Sequence, residues 1–363
     1  MSVHKYSTAK GDKWYVKYGN QTKRGFKTKG EAKQYEAKLR LQANSLQETL
    51  YFHAMIDDFL ETTKKEVSYG TWIKKKYVID KIILPNTKNK DMKKITEVEC
   101  RNFKDVVNET KYSTAYKNYI LRQYKSIFRF ATTYYRLPYN PSIVLTTFKD
   151  SFEEIARKRR KKEMSIRTEK EFRQFIKYVD NMEYKTLFIV LFYTGLRLGE
   201  AQALTWKDYN GESLYIDKSL TKKTEHGLYD IKDPKTASSI RKVALGDVSL
   251  ILDNYKNEQM KLIGFDESWF IFGNVKPLAA TSITRQKDIA IEKAKVKRIT
   301  LHEFRHSHAS ILIASGIDIV AVSRRLGHSD IKMTLNTYAH LLEKNEEKLL
   351  QKINLSSQNL LTK

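Results

Sequence analysis

The chain has 363 residues, 41% of them hydrophobic and only five of them proline, which suits two or three globular domains and argues against long proline-rich linkers. Its formal net charge is +25. This excess of cations is larger than solubility requires and indicates a polyanionic partner, most simply nucleic acid, although a merely lysine-rich soluble protein is the alternative.

The single cysteine, Cys100, excludes an internal disulfide, so a cytoplasmic protein is the natural expectation. Residues 1–20 are polar and have no apolar core, and we therefore expect no signal peptide. No run of about 18 apolar residues occurs, so we expect no membrane-spanning helix.

Residues 1–45 are predicted to form a small basic module, with eleven Lys and Arg against three acidic residues. Residues 14–18 and 22–27 have the pattern of strands. Thr28 and Glu31 form a capping box, which predicts a helix to about Gln42. A three-stranded sheet with one helix is a stable arrangement for such a module, whereas a tail that only tethers the chain is the alternative.

Residues 48–150 are predicted to be mostly helical. Apolar residues recur at helical spacing from Phe52 to Leu60, and a second helix is expected from Trp72 to Ile83, where Pro85 stops it. A capping box at residues 96–99 predicts a further helix.

The longest helix is expected over residues 113–135. Its aromatic residues are expected in the core: Tyr116, Tyr119, Phe128 and Phe130. Its basic residues recur every three to five positions, which is typical either of a stripe that faces phosphates or of a solvated surface: Lys117, Arg122, Lys125 and Arg129.

Six consecutive cations occupy residues 157–162. Like charges repel, so we expect this segment not to be compact without a partner. A linker that lies along a DNA backbone fits this composition, and a nuclear localisation signal is the formal alternative.

From residue 163 the pattern is mixed. Residues 172–179 predict one helix, and the apolar residues 187–193 a buried one. Gly195 interrupts this pattern, and Arg197 follows near the start of the next helix. Three short antiparallel strands are expected at 214–216, 228–231 and 240–245, with Lys235 in the turn between the last two. Mostly helices are expected thereafter.

Residues 300–340 hold five of the eight histidines. His302, Glu303 and His306 fit the H-E-x-x-H pattern of zinc proteases, in which two imidazoles one helical turn apart bind the metal. Arg305 inside the pattern would place a cation beside the metal ion, which is unfavourable, and no third ligand stands out. A helix whose histidines only pack and hydrogen-bond is a second interpretation.

Phosphoryl transfer is a third interpretation, which requires cations and donors around the phosphate oxygens and a nucleophile. His302 and Arg305 are three residues apart and share one helix face. His328 adds a donor, Tyr338 can attack, and Arg197 supplies a second arginine. Arginine suits this task because its planar fork binds two phosphate oxygens at once.

Five short motifs in order extend this interpretation across about residues 165–350. They are T-G-L-R-x-x-E from Thr194, P-K-T-x-x-S-x-R from Pro234, H-x-x-R-H from His302, L-G-H from Leu326 and T-x-x-x-Y ending at Tyr338. Their order and spacing resemble those of the tyrosine recombinase (integrase) family of phages and mobile elements. Each motif is weak alone, but the five together are a strong signal.

The resemblance implies an α+β, mainly helical fold of three parts. Residues 1–45 would be an arm-type DNA-binding module of one small sheet and one helix. Residues 48–150 would be a helical core-binding DNA domain, and residues 163–363 a mixed catalytic domain with a small antiparallel sheet. The last two parts would clamp the duplex between them.

The implied activity is site-specific DNA recombination that integrates and excises a phage or mobile element. Cleavage would leave a 3′-phosphotyrosine and a free 5′ hydroxyl, and attack by the partner strand would rejoin the DNA through a Holliday junction. The covalent intermediate conserves the phosphodiester energy, so no nucleotide cofactor is needed. No metal is expected, because arginines supply the positive charge.

The resemblance also implies roles for individual side chains. Tyr338 would be the nucleophile, and Arg197 and Arg305 would bind the scissile phosphate. Lys235 would be the general acid that protonates the departing 5′ oxygen. Glu200 would orient nearby cations, and a plain salt bridge between Glu200 and Arg197 is the alternative.

The histidines divide into two pairs in this scheme. His302 and His328 would hydrogen-bond to the phosphate, and His302 would also accept the tyrosine proton. His306 and His308 are expected to pack or to support their helix.

The expected partner is double-stranded DNA that carries core and arm attachment sites and is bound by a homotetramer. An excisionase or a DNA-bending protein would be a further partner. Residues 341–350 are expected either to dock on a neighbouring protomer or to pack on their own domain.

Two other functions stay open. A type IB topoisomerase would share the chemistry, although the N-terminal module argues against it, and a DNA-binding regulator would need no set of five motifs.

Overall fold

The computed structural model describes residues 2–8, 11–18, 21–44, 50–163, 168–222, 224–225, 227–233 and 237–343. The chain divides into two compact units, Met1–Phe152 and Glu153–Lys363. Most of the described residues are helical, and the strands form small antiparallel sheets, which confirms the mainly helical α+β fold. No helix in this part of the chain is long and apolar enough to cross a membrane.

The first unit begins with an antiparallel sheet in the order β1-β2-β3, at Ser2–Thr8, Gly11–Tyr18 and Gln21–Phe26. The sequence located β2 and β3, whereas β1 lies outside the segments predicted as strands. Gly25 has a φ of 99°, which side chains disfavour, and it forms a bulge in β3. Helix α1, Lys29–Asn44, follows its predicted cap and packs on the sheet.

The rest of the first unit is helical. Its main helices are α2 at Phe52–Glu66, α3 at Tyr69–Val78, α4 at Glu97–Glu109 and α5 at Thr114–Tyr134. The predicted capping box begins α4, and α5 is the predicted longest helix of this unit. The aromatic side chains of α5 pack in or against the core, as predicted.

The predicted second helix differs from the structure near Pro85. Helix α3 ends at Val78 and continues as a π-helical turn, Ile79–Ile83, and then as a 3₁₀ turn, Leu84–Asn86. Pro85 is the second residue of that 3₁₀ turn. The helical segment therefore changes type before the proline and ends one residue after it.

The basic stripe on α5 is used partly by the protein itself. Lys117 donates from Nζ to the carbonyl of Asn108 at 2.7 Å, and Lys125 donates to the carbonyl of Leu145 at 2.9 Å. Both lysines are half-buried, whereas Arg122 and Arg129 are exposed. The stripe is thus half structural and half solvated.

The six-cation segment is not an open linker, which corrects the expectation from its charge. Residues 152–163 form helix α6, Phe152–Glu163. Glu153 and Glu154 lie in its first turn and the cations lie toward its C-terminal end, an arrangement that the helix dipole favours at both ends. The expectation from charge alone did not consider that these acidic and basic residues lie at opposite ends of one helix.

The second unit has a core of helices that carry most of its apolar residues. They are α7 at Glu169–Ile176, α8 at Met182–Thr194, α9 at Leu198–Ala203, α10 at Val248–Met260, α11 at Ala280–Ala294, α12 at Leu301–Ala314, α13 at Ile319–Leu326 and α14 at Ile331–Glu343. Phe172 stacks on Phe192 with 3.8 Å between ring centroids, and Phe304 of α12 meets both rings edge-on. This aromatic cluster fixes α7, α8 and α12 together.

The strands of the second unit form two separate pairs rather than one set of three. Strand β4, Ser213–Ile216, pairs with β7, Arg241–Ala244, and β5, Ser219–Thr221, pairs with β6, Asp230–Lys232. Strand β5 was not predicted. In the described residues β6 and β7 do not pair with each other, so the segment with Lys235 connects two sheets instead of closing a hairpin. Lys235 itself lies outside the described residues.

Gly199 allows α9 to approach β5 very closely. A Cβ atom at Gly199 would lie 2.7 Å from both the carbonyl oxygen of Leu220 and Oγ of Ser219. Such a distance requires the backbone of the strand to move. The close contact therefore sets the position of the helix that follows Arg197.

Gly199→Ala should lower the free energy of unfolding by about 1–3 kcal/mol, because the new methyl group overpacks the contact with Leu220. Gly30→Ala in α1 is the matched control. Its methyl would find its nearest neighbour, Thr28 Oγ1, at 3.7 Å, and alanine favours a helix by up to about 1 kcal/mol. Calorimetry of the full chain measures both, and a Gly199→Ala protein as stable as wild type would contradict the close approach.

Candidate active site

Arg197 is positioned by the turn between α8 and α9. Gly195 ends α8 in the left-handed conformation, with a φ of 68°, and Arg197 is the N-cap of α9. A Cβ at Gly195 would lie 2.7 Å from the His308 ring and 2.9 Å from Leu326, so only glycine fits there. Gly195 therefore packs the turn against α12 and the end of α13, and Arg197 follows two residues later.

The carboxylate of Glu200 joins two arginines. Arg197 donates to it from its backbone N–H at 2.9 Å and from Nη1 at 2.7 Å. Arg241, on β7, donates from Nη2 at 2.9 Å and from Nη1 at 3.3 Å. The Glu200 and Arg241 side chains are 6% and 7% exposed, so this is a buried ion pair, whereas Arg197 is 37% exposed. Glu200 therefore forms the salt bridge with Arg197 that was the alternative to a supporting role, and it also pairs with Arg241.

The environment of Glu200 keeps the carboxylate ionised. Burial alone would raise its pKa, but the hydrogen bonds and charges of Arg241 and Arg197 outweigh burial and hold the pKa below the usual 4.5. The site therefore contains a fixed negative charge between two guanidinium groups at neutral pH.

Arg305 is almost fully buried on α12, at 3% exposure. It donates from Nη1 to the carbonyl of Gly195 at 2.9 Å and from Nη2 to the carbonyl of Leu326 at 2.7 Å. Burial, with the nearby charge of Arg197, lowers the pKa of Arg305 to about 9, so the group is still a cation at neutral pH. Two motifs far apart in sequence, at Gly195 and Leu326, thus meet at this one side chain.

Tyr338 lies on α14 with its hydroxyl hydrogen-bonded to Nδ1 of His306 at 2.8 Å. Its ring is 3% exposed and belongs to a small apolar cluster. Burial raises the pKa of Tyr338 to about 12, although the charge of Arg305 opposes the shift. The phenol is therefore protonated at neutral pH, and its direct neighbour is His306, not His302.

His302 and His328 flank the two arginines. His302 is solvent-accessible and packs edge-on against the His306 ring, with 4.9 Å between centroids. Partial desolvation and the charges of Arg305 and Arg197 lower its pKa. His328 bonds through Nδ1 to Oγ1 of Thr334 at 2.7 Å, and burial with the same cations lowers its pKa to about 4. Both imidazoles are neutral at pH 7 and can each donate one N–H.

Arg241 and Arg325 make further hydrogen bonds that connect the elements around the site. Arg241 donates from Nε to the carbonyl of Arg325 at 2.8 Å. Arg325 donates from Nε to Nε2 of His308 at 3.1 Å, and from Nη2 to the carbonyls of Tyr193 and Ala244, each at 3.1 Å. His308 therefore supports its helix, as the sequence suggested.

Sequence reasoning gave no role to Arg241 or Arg325. Arg241 is the last residue of the motif that begins at Pro234, and its place in that motif could have indicated a role in the site. Arg325 directly precedes the L-G-H motif. Gly327 of that motif lies so close to Arg241 that a Cβ would be 2.9 Å from its Nη1. The L-G-H turn thus packs directly on the Arg241 side chain.

The zinc protease interpretation does not fit this geometry. Glu303, the residue that would activate water, is occupied in a capping box, where its carboxylate accepts a hydrogen bond from the backbone N–H of Thr300. Among the residues that the structure describes, no group of three His, Cys, Asp or Glu side chains could hold a metal ion. The histidines instead surround a cluster of arginines and one tyrosine.

The chain matches the model of the phage integrase family over residues 166–345, and that of the phage integrase N-terminal SAM-like domain over residues 51–105. It is 30% identical to the ICEBs1 integrase of Bacillus subtilis (strain 168) over 339 residues, which cover 90% of each chain. It is 27% identical to the integrase of Staphylococcus phage L54a over 348 residues, covering 87% of this chain and 96% of that one.

Solved structures share the fold. A structure of the Tn1549 transposon integrase in complex with a circular intermediate DNA has 19% identity and a TM-score of 0.65, covering 83% of this chain and 100% of that one. A lambda integrase dimer bound to a core site has 17% identity and a TM-score of 0.57, covering 92% and 93%. At these identities the likeness concerns the fold.

Glu200→Gln should lower the free energy of unfolding by about 3–5 kcal/mol, because it leaves the buried Arg241 guanidinium without its counter-charge. Glu169→Gln is the matched control. Glu169 forms an exposed ion pair with Arg173 at 2.7 Å, where solvent screens the charges, so little change is expected. Urea unfolding of the two variants makes the comparison, and equal losses would contradict a special role for the buried pair.

The pH dependence of the same variant has a definite sign. The pKa of Glu200 is lower in the folded protein than the usual 4.5, so its stabilisation is present above that pH and is lost as the pH falls through the folded value. The difference in stability between wild type and Glu200→Gln should therefore shrink below pH 4.5. A difference that grows in acid would contradict the ionised carboxylate.

Proposed function

This chain belongs to the phage integrase family and is a tyrosine site-specific recombinase of a mobile element, and we propose that the cluster around Arg305 is its active site, with Tyr338 as the nucleophile. The observation that carries this proposal is the position of the Tyr338 hydroxyl. It lies at 2.8 Å from a histidine on the same helix as Arg305, and the charge of Arg305 acts on the phenol.

Arg197 and Arg305 bind the scissile phosphate in this proposal. Arg305 is fixed by two carbonyl groups, which leaves its remaining N–H donors with a defined direction. Arg197 is partly exposed and is anchored to Glu200. Donors that are oriented before the substrate arrives stabilise developing charge on the phosphate oxygens most effectively. Glu200 and Arg241 act by holding this arrangement.

Cleavage follows as a transfer of the phosphate from one oxygen to another. The Tyr338 oxygen forms a bond to phosphorus while the bond to the 5′ oxygen breaks, which yields a 3′-phosphotyrosine. Lys235 supplies the proton that the departing 5′ oxygen requires. His302 and His328, neutral at pH 7, donate hydrogen bonds to the phosphate. Rejoining reverses these steps with a 5′ hydroxyl from the partner strand.

DNA is the partner of this enzyme, and we assign its binding to three parts of the chain. Residues 1–45 bind arm sites, residues 48–150 bind the core site, and residues 163–363 carry out the chemistry. The match to an integrase N-terminal domain over residues 51–105 supports the second assignment. A homotetramer on core and arm attachment sites is the proposed assembly, for which a lambda integrase tetramer bound to a Holliday junction is a structural precedent.

One face of the N-terminal sheet suits arm-site binding. The face opposite α1 carries His4 stacked on Tyr15 at 5.0 Å, with Tyr6 against the same ring and the Arg24 guanidinium over it. Lys13 pairs across the sheet with Tyr6 on this face. Aromatic rings and cations side by side are typical of a nucleic-acid surface.

Tyr338→Phe should bind a nicked, labelled DNA that carries the element's junction, but should form no covalent adduct, whereas wild type should form one. A denaturing gel measures the adduct, and a binding assay on the same DNA is the control for folding. Adduct in both proteins would mean that another residue attacks. No adduct from either on a verified site would favour a DNA-binding regulator.

The double variant Lys13→Ala/Arg24→Ala should weaken arm-site binding and make the negative slope of log K against log[salt] shallower by about 1.8, because each phosphate contact contributes about −0.9 to that slope. Lys5→Ala is the matched control on the opposite face of the same sheet, where Lys5 pairs with Asp12 at 2.6 Å. Titrations of arm-site DNA at several salt concentrations test this, and equal slopes for both variants would contradict the assignment of the face.

A further inference from the structure

We propose that His306 is the group that accepts the Tyr338 proton when the phenol attacks DNA, an inference that rests on the proposed role of Tyr338 as nucleophile. The sequence favoured His302 for this step. His306 was expected only to pack or to support its helix.

The contact between His306 and Tyr338 joins a hydrogen bond to a packed tyrosine ring. Nδ1 of His306 and the Tyr338 hydroxyl are 2.8 Å apart, within the range for proton transfer. The Tyr338 ring packs in an apolar cluster with Ala309, Ile313, Val322 and Leu326. Because α12, α13 and α14 all contribute to this cluster, the hydroxyl cannot easily turn away from His306.

A base is needed because the phenol is a very weak acid here. With a pKa of about 12, roughly one Tyr338 in 10⁵ is ionised at pH 7. A neighbouring base that removes the proton during attack makes the reaction independent of this small ionised fraction. Neutral imidazole with its proton on Nε2 presents a lone pair at Nδ1 and can do so.

His302 is less suited to the same task. Its ring meets the edge of His306, and none of the described residues forms a hydrogen bond with its imidazole. It is also solvent-accessible and close to the charges of Arg305 and Arg197. Its ring contacts His306, whose ring in turn contacts Tyr338, so His306 lies between His302 and the nucleophile.

The proton balance of the step is complete. The phenol O–H bond breaks and the proton moves to Nδ1 of His306, while the tyrosine oxygen bonds to phosphorus. The bond from phosphorus to the 5′ oxygen breaks, and that oxygen takes a proton from Lys235 and leaves as a hydroxyl. Rejoining returns the proton from His306 to the phenol oxygen. The imidazolium that forms lies near Arg305, so the negative phosphate is needed to offset the added charge. Without DNA the same hydrogen bond only holds the phenol.

The first test measures single-turnover adduct formation on nicked DNA by His306→Asn and His306→Ala. Asparagine places an amide oxygen near the position of Nδ1, so it can hold the phenol but cannot take its proton. We expect its rate to fall by about 10²–10⁴-fold. We expect imidazole in solution to restore part of the activity of His306→Ala but none to Tyr338→Phe.

The second test uses DNA in which sulfur replaces the 5′ bridging oxygen at the cleavage site. A thiolate leaves without protonation, so this DNA should restore cleavage by Lys235→Ala, whose defect is in the leaving group. It should not restore cleavage by His306→Asn, whose defect is in the nucleophile. A merely structural loss would not separate the two variants in this way.

Several outcomes would overturn the inference. They are a His306→Asn rate within a few-fold of wild type, imidazole rescue of His302→Ala but not of His306→Ala, and rescue of His306→Asn by the sulfur-containing DNA. If His306→Ala fails to bind DNA, the inference is tested by His306→Asn alone, through its rate of adduct formation and its cleavage of the sulfur-containing DNA. Adduct formation by Tyr338→Phe would instead overturn the proposed function, independently of His306.

Discussion

The two ion pairs of the Glu200 carboxylate are the interactions on which the geometry of the proposed active site depends. The carboxylate pairs with Arg197, which begins α9, and with Arg241, which lies on β7. Arg241 in turn donates to the carbonyl of Arg325 at the end of α13. One carboxylate therefore connects a helix start, a strand and the L-G-H turn. Without it, buried guanidinium groups at this spacing would repel each other in a medium that screens charge poorly.

Much of the site could be predicted because the motifs keep their order and because arginine, histidine and tyrosine suit phosphate chemistry. The contact between His306 and Tyr338 could not be predicted, since it depends on how α12 packs on α14, 32 residues further along the chain. The role of Arg241 was missed for the same reason. Its partner Glu200 is 41 residues away, and spacing alone does not indicate which cation reaches a buried carboxylate.

The fold shows a similar division between local and distant causes. The starts of α1 and α4 were predictable because a capping box is complete within four residues. The pairing of β4 with β7, and of β5 with β6, depends on contacts between distant segments, so three strands in sequence suggested the wrong arrangement. The helix α6 was missed because its charges were counted without their position relative to the helix ends.

The arginines of the proposed active site have a thermodynamic consequence. Arg197 and Arg241 pair with Glu200, whose charge also acts on Arg305. Burial first, and then repulsion from neighbouring arginines, lowers the pKa values of Arg305 and Arg325. An anion that fits among them relieves this repulsion only in the native state, so folding and occupancy are linked. At a concentration 100 times its dissociation constant, such a ligand adds about 2.7 kcal/mol to the stability of the domain. If the proposed active site binds phosphate, the bound protein should therefore be the more resistant to unfolding.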